Sequence, residues 1–222
     1  MNLIFAIVAA KAQKTAEDIC AGLSLKQTTV LRARGTAVVS MRDILGIESD
    51  ERRLLLAFAD ETKTKQFINE AKRRLYIGVP GHGIITAVPV KSVGGGKTLA
   101  YLNGDTLTGG QPKINYNYEL IAVICNEGKN QMVMNAAREA GAAGGTVLHG
   151  KGTGSPDAEK FFRVSIGAEK EVILIVASKE QKAGIMQSIL KKAGPDTEAG
   201  SIAFSMPVTD VAGFGLMNDS PD

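Results

Sequence analysis

Two short stretches of the chain set a cation, a glycine and a threonine in the same order. Thr29-Val30-Leu31 runs to Arg34-Gly35-Thr36, and Thr146-Val147-Leu148 runs to Lys151-Gly152-Thr153-Gly154. The separation is 146 − 29 = 117 residues. A turn of small residues lets backbone N–H groups approach an anion, and glycine permits that approach because it carries no Cβ. Arg34 and Lys151 add charge beside each glycine. The chemistry this pattern can do is to hold a small anionic ligand, lined by Thr29, Arg34, Gly35 and Thr36 in one copy and by Thr146, Lys151, Gly152, Thr153 and Gly154 in the other. The plainer alternative is two strand-exit turns kept alike by duplication, with exposed, snorkelling cations. Gly78-Val79-Pro80-Gly81-His82-Gly83 is the second candidate: Gly81 and Gly83 can wrap a ligand or merely turn the chain from helix to strand. Its counterpart between Gly194 and Gly200 carries Asp196 and Glu198, whose charge disfavours phosphate.

Other chemistries find little support. Gly94-Gly95-Gly96-Lys97-Thr98 imitates a phosphate loop, but the pattern GxxxxGK[ST] needs glycine five before Gly96, and Lys91 stands there. His82 and His149 are the two histidines, and neither has a second ligand at metal-binding spacing. No Ser/His/Asp set and no paired-carboxylate pattern occurs, so no catalytic residues are assigned and no enzyme is expected. Two cysteines, Cys20 and Cys125, suit a reducing cytoplasm better than a disulfide framework.

The elements that must position these residues also occur twice. An apolar strand opens each half, Leu3 to Ala9 and Leu120 to Cys125. An amphipathic helix follows, with Ala16, Ile19, Cys20 and Leu23 at i, i+3, i+4 and i+7, matched by Val133, Ala136, Ala137 and Ala140. The Thr-Val-Leu strand and the Gly-Thr turn come next, then variable segments, Ala37 to Glu51 and Gly154 to Lys170. Near-continuous apolar runs, Arg53 to Ala59 and Glu171 to Ala177, read as strands covered on both faces. A second helix carries the stripe Phe67, Ile68, Ala71, Leu75, or Ile185, Met186, Ile189, Leu190. The last strands, Ile84 to Val90 and Ile202 to Val208, contain Pro89 and Pro207, which belong at a sheet edge or strand exit. Strand–helix–strand–strand–helix–strand is the ferredoxin-like order. The expected architecture is therefore α+β, with two tandem ferredoxin-like (βαββαβ) domains at residues 1–95 and 118–217. A Gly-rich linker, 96–117, joins them, with Thr98 to Leu102 as a candidate short strand, and residues 218–222 are read as a frayed tail.

Composition bounds the partners. Apolar residues at 44% and charged residues at 22% describe an ordinary globular chain. A net charge of +3, with no Trp and four Tyr, argues against a nucleic-acid partner. The opening apolar run lacks a preceding basic residue and matches Leu120-Ile121 at the same offset of 117, so it reads as a strand rather than a leader. No run is long enough to span a bilayer, so an integral membrane protein is not expected.

At this point the residues resemble the P-II nitrogen-regulatory signalling family. Gly145-Thr146-Val147 is similar to that family's second-strand start, Lys151-Gly152-Thr153-Gly154 to its Lys-Gly-Phe-Gly turn, and Gly78 to Gly83 to its glycine-rich loop. The resemblance implies a trimeric, ferredoxin-like sensor that binds an adenine nucleotide, ATP or ADP, as small-molecule effector and docks on a target protein. It implies a homo-oligomer in the cytoplasm and a role in nitrogen regulation, with Thr146 against an adenine or ribose edge. The sequence departs from the family in places. Ile84 and Ser201 stand where the loop's phosphate lysine is expected, Val211 to Leu216 carries no cation, and neither variable segment contains tyrosine. Two other readings stay open: a scaffold that keeps the fold without a ligand, and an enzyme with a pseudo-dimer cleft.

Overall fold

The computed structural model describes residues 1–25, 27–36, 50–79, 81–90, 102, 115–151 and 169–213. The chain forms two compact units. Unit 1 comprises Met1–Leu31, Val39–Tyr116 and Pro207–Asp222; unit 2 comprises Arg32–Val38 and Asn117–Met206. The end of the second strand of the first half thus counts with unit 2, and the end of the chain counts with unit 1.

In unit 1, β1 (Asn2–Ala9) leads through a 3-10 turn at Ala10–Ala12 to α1 (Gln13–Gly22) and β2 (Thr28–Gly35). β3 (Glu51–Ala59), α2 (Glu61–Leu75) and β4 (Gly83–Pro89) follow. β1 lies between β3 and β4, antiparallel to both, with Ile4 opposite Ala57 and Ala87. The strand order is β2-β3-β1-β4, extended at the β4 edge by a short strand, β9 (Asp210–Gly213). Ile4, Ala6 and Val8 of β1 pack on Ile19 and Cys20 of α1 and on Phe67, Ile68 and Ala71 of α2. Each large apolar side chain so buried contributes roughly 1.5–3 kcal/mol. Asp60 caps α2, its Oδ1 accepting from the N–H of Lys63 at 2.7 Å.

Unit 2 repeats the plan with β5 (Asn115–Asn126), α3 (Asn130–Glu139), β6 (Thr146–Lys151), β7 (Glu169–Ser178), α4 (Lys179–Ala193) and β8 (Ile202–Val208). Its strand order is β8-β5-β7-β6, followed by β2. Counted within each half, both orders read 4-1-3-2, the ferredoxin-like arrangement, and the fold is mixed α and β. Ser178 caps α4 as Asp60 caps α2, its Oγ accepting from the N–H of Gln181 at 3.3 Å.

Three details differ from the expectation. β5 begins at Asn115, because the apolar run marks only the stretch that enters the core. β9 has four residues, too few to show a period in sequence. Leu190 is 64% exposed; the buried stripe of α4 is Ile185, Ile189 and Ala193, which recur every four residues and leave Leu190 one position off that line. The prolines sit as expected: Pro89 ends β4, and Pro207 lies near the end of β8, the outermost strand in the unit 2 order. Nearly all of the variable segments and of the linker, including the Gly94–Thr98 motif, lies outside the described residues.

Candidate functional site

β2 and β6 carry the two copies of the repeated stretch, and they pair antiparallel. Arg34 lies opposite Val147 and Gly35 opposite Thr146. The end of the first copy therefore meets the start of the second. Thr36 closes the junction. Its N–H donates to the Gly145 carbonyl at 3.1 Å, and its hydroxyl both donates to that carbonyl at 3.0 Å and accepts from the Gly145 N–H at 2.8 Å. The Arg138 guanidinium, on α3, donates to the Thr36 carbonyl, and burial pulls the Arg138 pKa down. Thr36 and Thr146 are each 5% exposed. Gly145 has no room for a side chain, since a Cβ would lie 2.9 Å from Met134 Sδ.

The structure thus brings Arg34, Gly35, Thr36 and Thr146 together, all within unit 2. The Thr36 hydroxyl is committed to the backbone, whereas Arg34 and Lys151 are exposed. Gly152, Thr153 and Gly154 lie outside the described residues. Thr29, exposed, counts with unit 1, as do Gly81 and Gly83. Gly83 has a structural reason to be glycine. Its φ is +149°, and a Cβ would fall 2.3 Å from the Ile7 carbonyl oxygen.

A second polar cluster in unit 2 was not singled out from sequence. Glu171 on β7 is 2% exposed. Its carboxylate accepts from the Asn130 backbone N–H at 3.1 Å and from the Asn130 amide at 2.7 Å, at the start of α3. α3 has no side-chain cap of its own and no acid in its first turn, so Glu171 supplies the negative charge that its N-terminus favours. His149 Nδ1 lies 3.8 Å from Glu171 Oε1. Lys170, also buried, donates to Asn126 Oδ1 at 2.6 Å. Asn126 in turn donates to the Glu198 carbonyl at 3.0 Å, and Lys129 pairs with the Glu198 carboxylate at 2.5 Å. The Lys129 hydrogen bond and charge hold the Glu198 pKa below the ordinary carboxylate value. The only sequence signal was a Lys-Glu pair at the head of a strand otherwise apolar; what the pair touches depends on the neighbouring strands.

Among the described residues, no group of three His, Cys, Asp or Glu side chains is placed to hold a metal ion. No helix among them is long and apolar enough to cross a membrane. A groove of about 410 Å3 opens between α1 and α2 in unit 1, with Ile19 and Leu23 among Gln66, Asn69, Glu70 and Arg74. It holds none of the candidate ligand contacts read from sequence.

No curated protein matches the chain. Among solved structures, a putative PII-like signaling protein from Thermus thermophilus aligns at 19% identity over 41% of this chain and 85% of its own, with a TM-score of 0.32. Arabidopsis thaliana PII bound to citrate aligns at 21% identity over 43% of this chain and 79% of its own, with a TM-score of 0.34. Residues 118–214 match the family described as nitrogen regulatory protein P-II.

Proposed function

We propose that the protein is a small-molecule-sensing regulator of P-II-like type, acting by docking on a target protein and not by catalysis. The P-II match over residues 118–214 carries this reading. The junction of β2 with β6 supports it, because it sets one Gly-Thr turn against the start of the other copy. The proposed effector is an adenine nucleotide, ATP or ADP. Its candidate contacts are Arg34, Gly35, Thr36, Thr146 and Lys151, with Thr29, Gly81 and Gly83 in unit 1 and Gly152, Thr153 and Gly154 following β6. A cytoplasmic homo-oligomer, a trimer by family likeness, and a role in nitrogen regulation complete the proposal, as does a division into domains at 1–95 and 118–217.

Titration calorimetry with ATP, ADP, cyclic nucleotides and bicarbonate tests it. Heat with an adenine nucleotide that disappears in R34A or K151A supports the reading. Silence with every compound favours the second reading, a scaffold that keeps the fold, for which the buried and backbone-committed Thr36 hydroxyl speaks.

A further inference from the structure

The two units differ where their paired helices meet. The buried stripes align by 136 − 19 = 117 for the first helix of each unit and by 185 − 67 = 118 for the second. By those offsets Ile19, Gly22, Glu70 and Arg74 of unit 1 correspond to Ala136, Glu139, Ser188 and Lys192 of unit 2. In unit 2 these positions close on one another. Ser188 Oγ donates to the Ala136 carbonyl at 2.6 Å, and Lys192 pairs with the Glu139 carboxylate. Polar contacts thus bolt α3 to α4.

In unit 1 neither contact is made among the described residues. Gly22 stands where unit 2 has a glutamate, and Glu70 stands where it has a serine. The seam between α1 and α2 opens instead as the groove of about 410 Å3, a size within the range of small-ligand pockets. Ile19, 2% exposed, and Leu23, half-buried, give it an apolar wall. Gln66, Asn69, Glu70 and Arg74 line it from one face of α2.

The charges on that face are unevenly matched. A glutamate four residues before an arginine is the spacing that favours a helical ion pair. Glu70 nevertheless bonds to Arg73, whose Nη2 donates to Oε1 at 2.9 Å and to Oε2 at 2.7 Å. Glu70 is therefore already neutralised and does not repel an incoming anion. Among the described residues, Gln66, Asn69 and Arg74 have no hydrogen-bond or ion-pair partner. A Cβ added at Gly22 meets nothing within 4 Å, so the place of the missing glutamate is open.

We propose that this groove binds a small carboxylate with an apolar body. Its carboxylate pairs with Arg74 as Glu139 pairs with Lys192 in unit 2, and its apolar body lies on Ile19 and Leu23. Arginine in place of lysine suits this role, because its planar fork holds a free carboxylate through two parallel bonds. The amides of Gln66 and Asn69 face the ligand's polar rim. The site shares no residue with the nucleotide contacts proposed above, so neither reading depends on the other.

The test titrates the isotope-labelled full chain with phenylacetate, and with phenylacetamide as its neutral isostere. The expected result is saturable shifts of the Ile19, Gly22, Leu23, Asn69 and Arg74 amides. Affinity should fall at least about tenfold for phenylacetamide and for R74A, which each remove one partner of a charge-assisted pair. G22E supplies a carboxylate from the chain itself and should abolish the shifts, whereas G22A, which adds no charge, should keep them. Equal binding of acid and amide, or binding that survives R74A or G22E, overturns the proposal. So do shifts that are absent from these residues or never saturate.

Discussion

Glu171 and Asn130 form a clasp between a strand and the first turn of a helix, and the other half of the chain carries the same clasp with its polarity reversed. The equivalent residues are Arg53 and Gln13, by offsets of 171 − 53 = 118 and 130 − 13 = 117. There Arg53 Nε donates to Gln13 Oε1 at 3.1 Å. Neither α1 nor α3 has a side-chain cap, so in both units the third strand tethers the first helix. Removing the buried carboxylate in E171A should cost about 1–3 kcal/mol, with a smaller loss for N130A. The double variant should show a coupling on the order of 0.5–3 kcal/mol in denaturant unfolding. Additive losses would mean that the two groups do not act as a pair.

The Thr36 hydroxyl makes two bonds to Gly145, and only a hydroxyl can both donate and accept there. T36V leaves the Gly145 N–H without that acceptor and should lose roughly 1–3 kcal/mol, whereas T36S should keep most of the stability. Equal stability of the two variants, read as denaturant midpoints, would show that the junction does not depend on these bonds.

Three glycines separate backbone need from empty space. At Gly83 an added Cβ would press on the Ile7 carbonyl at 2.3 Å in a left-handed backbone, and at Gly145 it would press on Met134 and Ile173. At Gly184, inside α4, nothing lies within 4 Å. G83A should destabilise severely and G145A by about 1–3 kcal/mol, through overpacking. G184A should stabilise by up to about 1 kcal/mol, through helix propensity. Thermal unfolding of the three variants orders them, and a stable G83A would contradict the geometry.

The buried thiols predict alkaline sensitivity. Burial pushes Cys20 up to about 11 and Cys125 up to about 12, from an ordinary thiol value of 9.0. Each folded pKa is raised, so the stability these groups confer is whole below pH 9.0 and is lost as pH rises toward 11 and 12. The loss approaches 1.4 kcal/mol per pH unit for each thiol within that window, about 3 kcal/mol in total for Cys20. A C20A/C125A chain should show a flatter stability curve between pH 9 and 11 than its parent. Neither thiol should react with a disulfide reagent at pH 8 until the chain is unfolded.

The sequence by itself determined the doubled order of strands and helices. Each element buries one face, and burial writes a period into the chain: Ile19 and Cys20 against Ala136 and Ala137, Phe67 and Ala71 against Ile185 and Ile189. The caps Asp60 and Ser178, each bonded to an N–H three residues on, are local contacts that the sequence reading did not single out. Only the tertiary structure decided which strands become neighbours, because pairing depends on register between residues far apart in sequence. Gly35 against Thr146 has no local signature, and β9 at the edge of β4 has too few residues to show one. The same holds for polar groups in the interior. Glu171 reads as the flank of an apolar run until β5, β6 and α3 close around it, and the two bonds of the Thr36 hydroxyl to Gly145 have no signature in the local sequence.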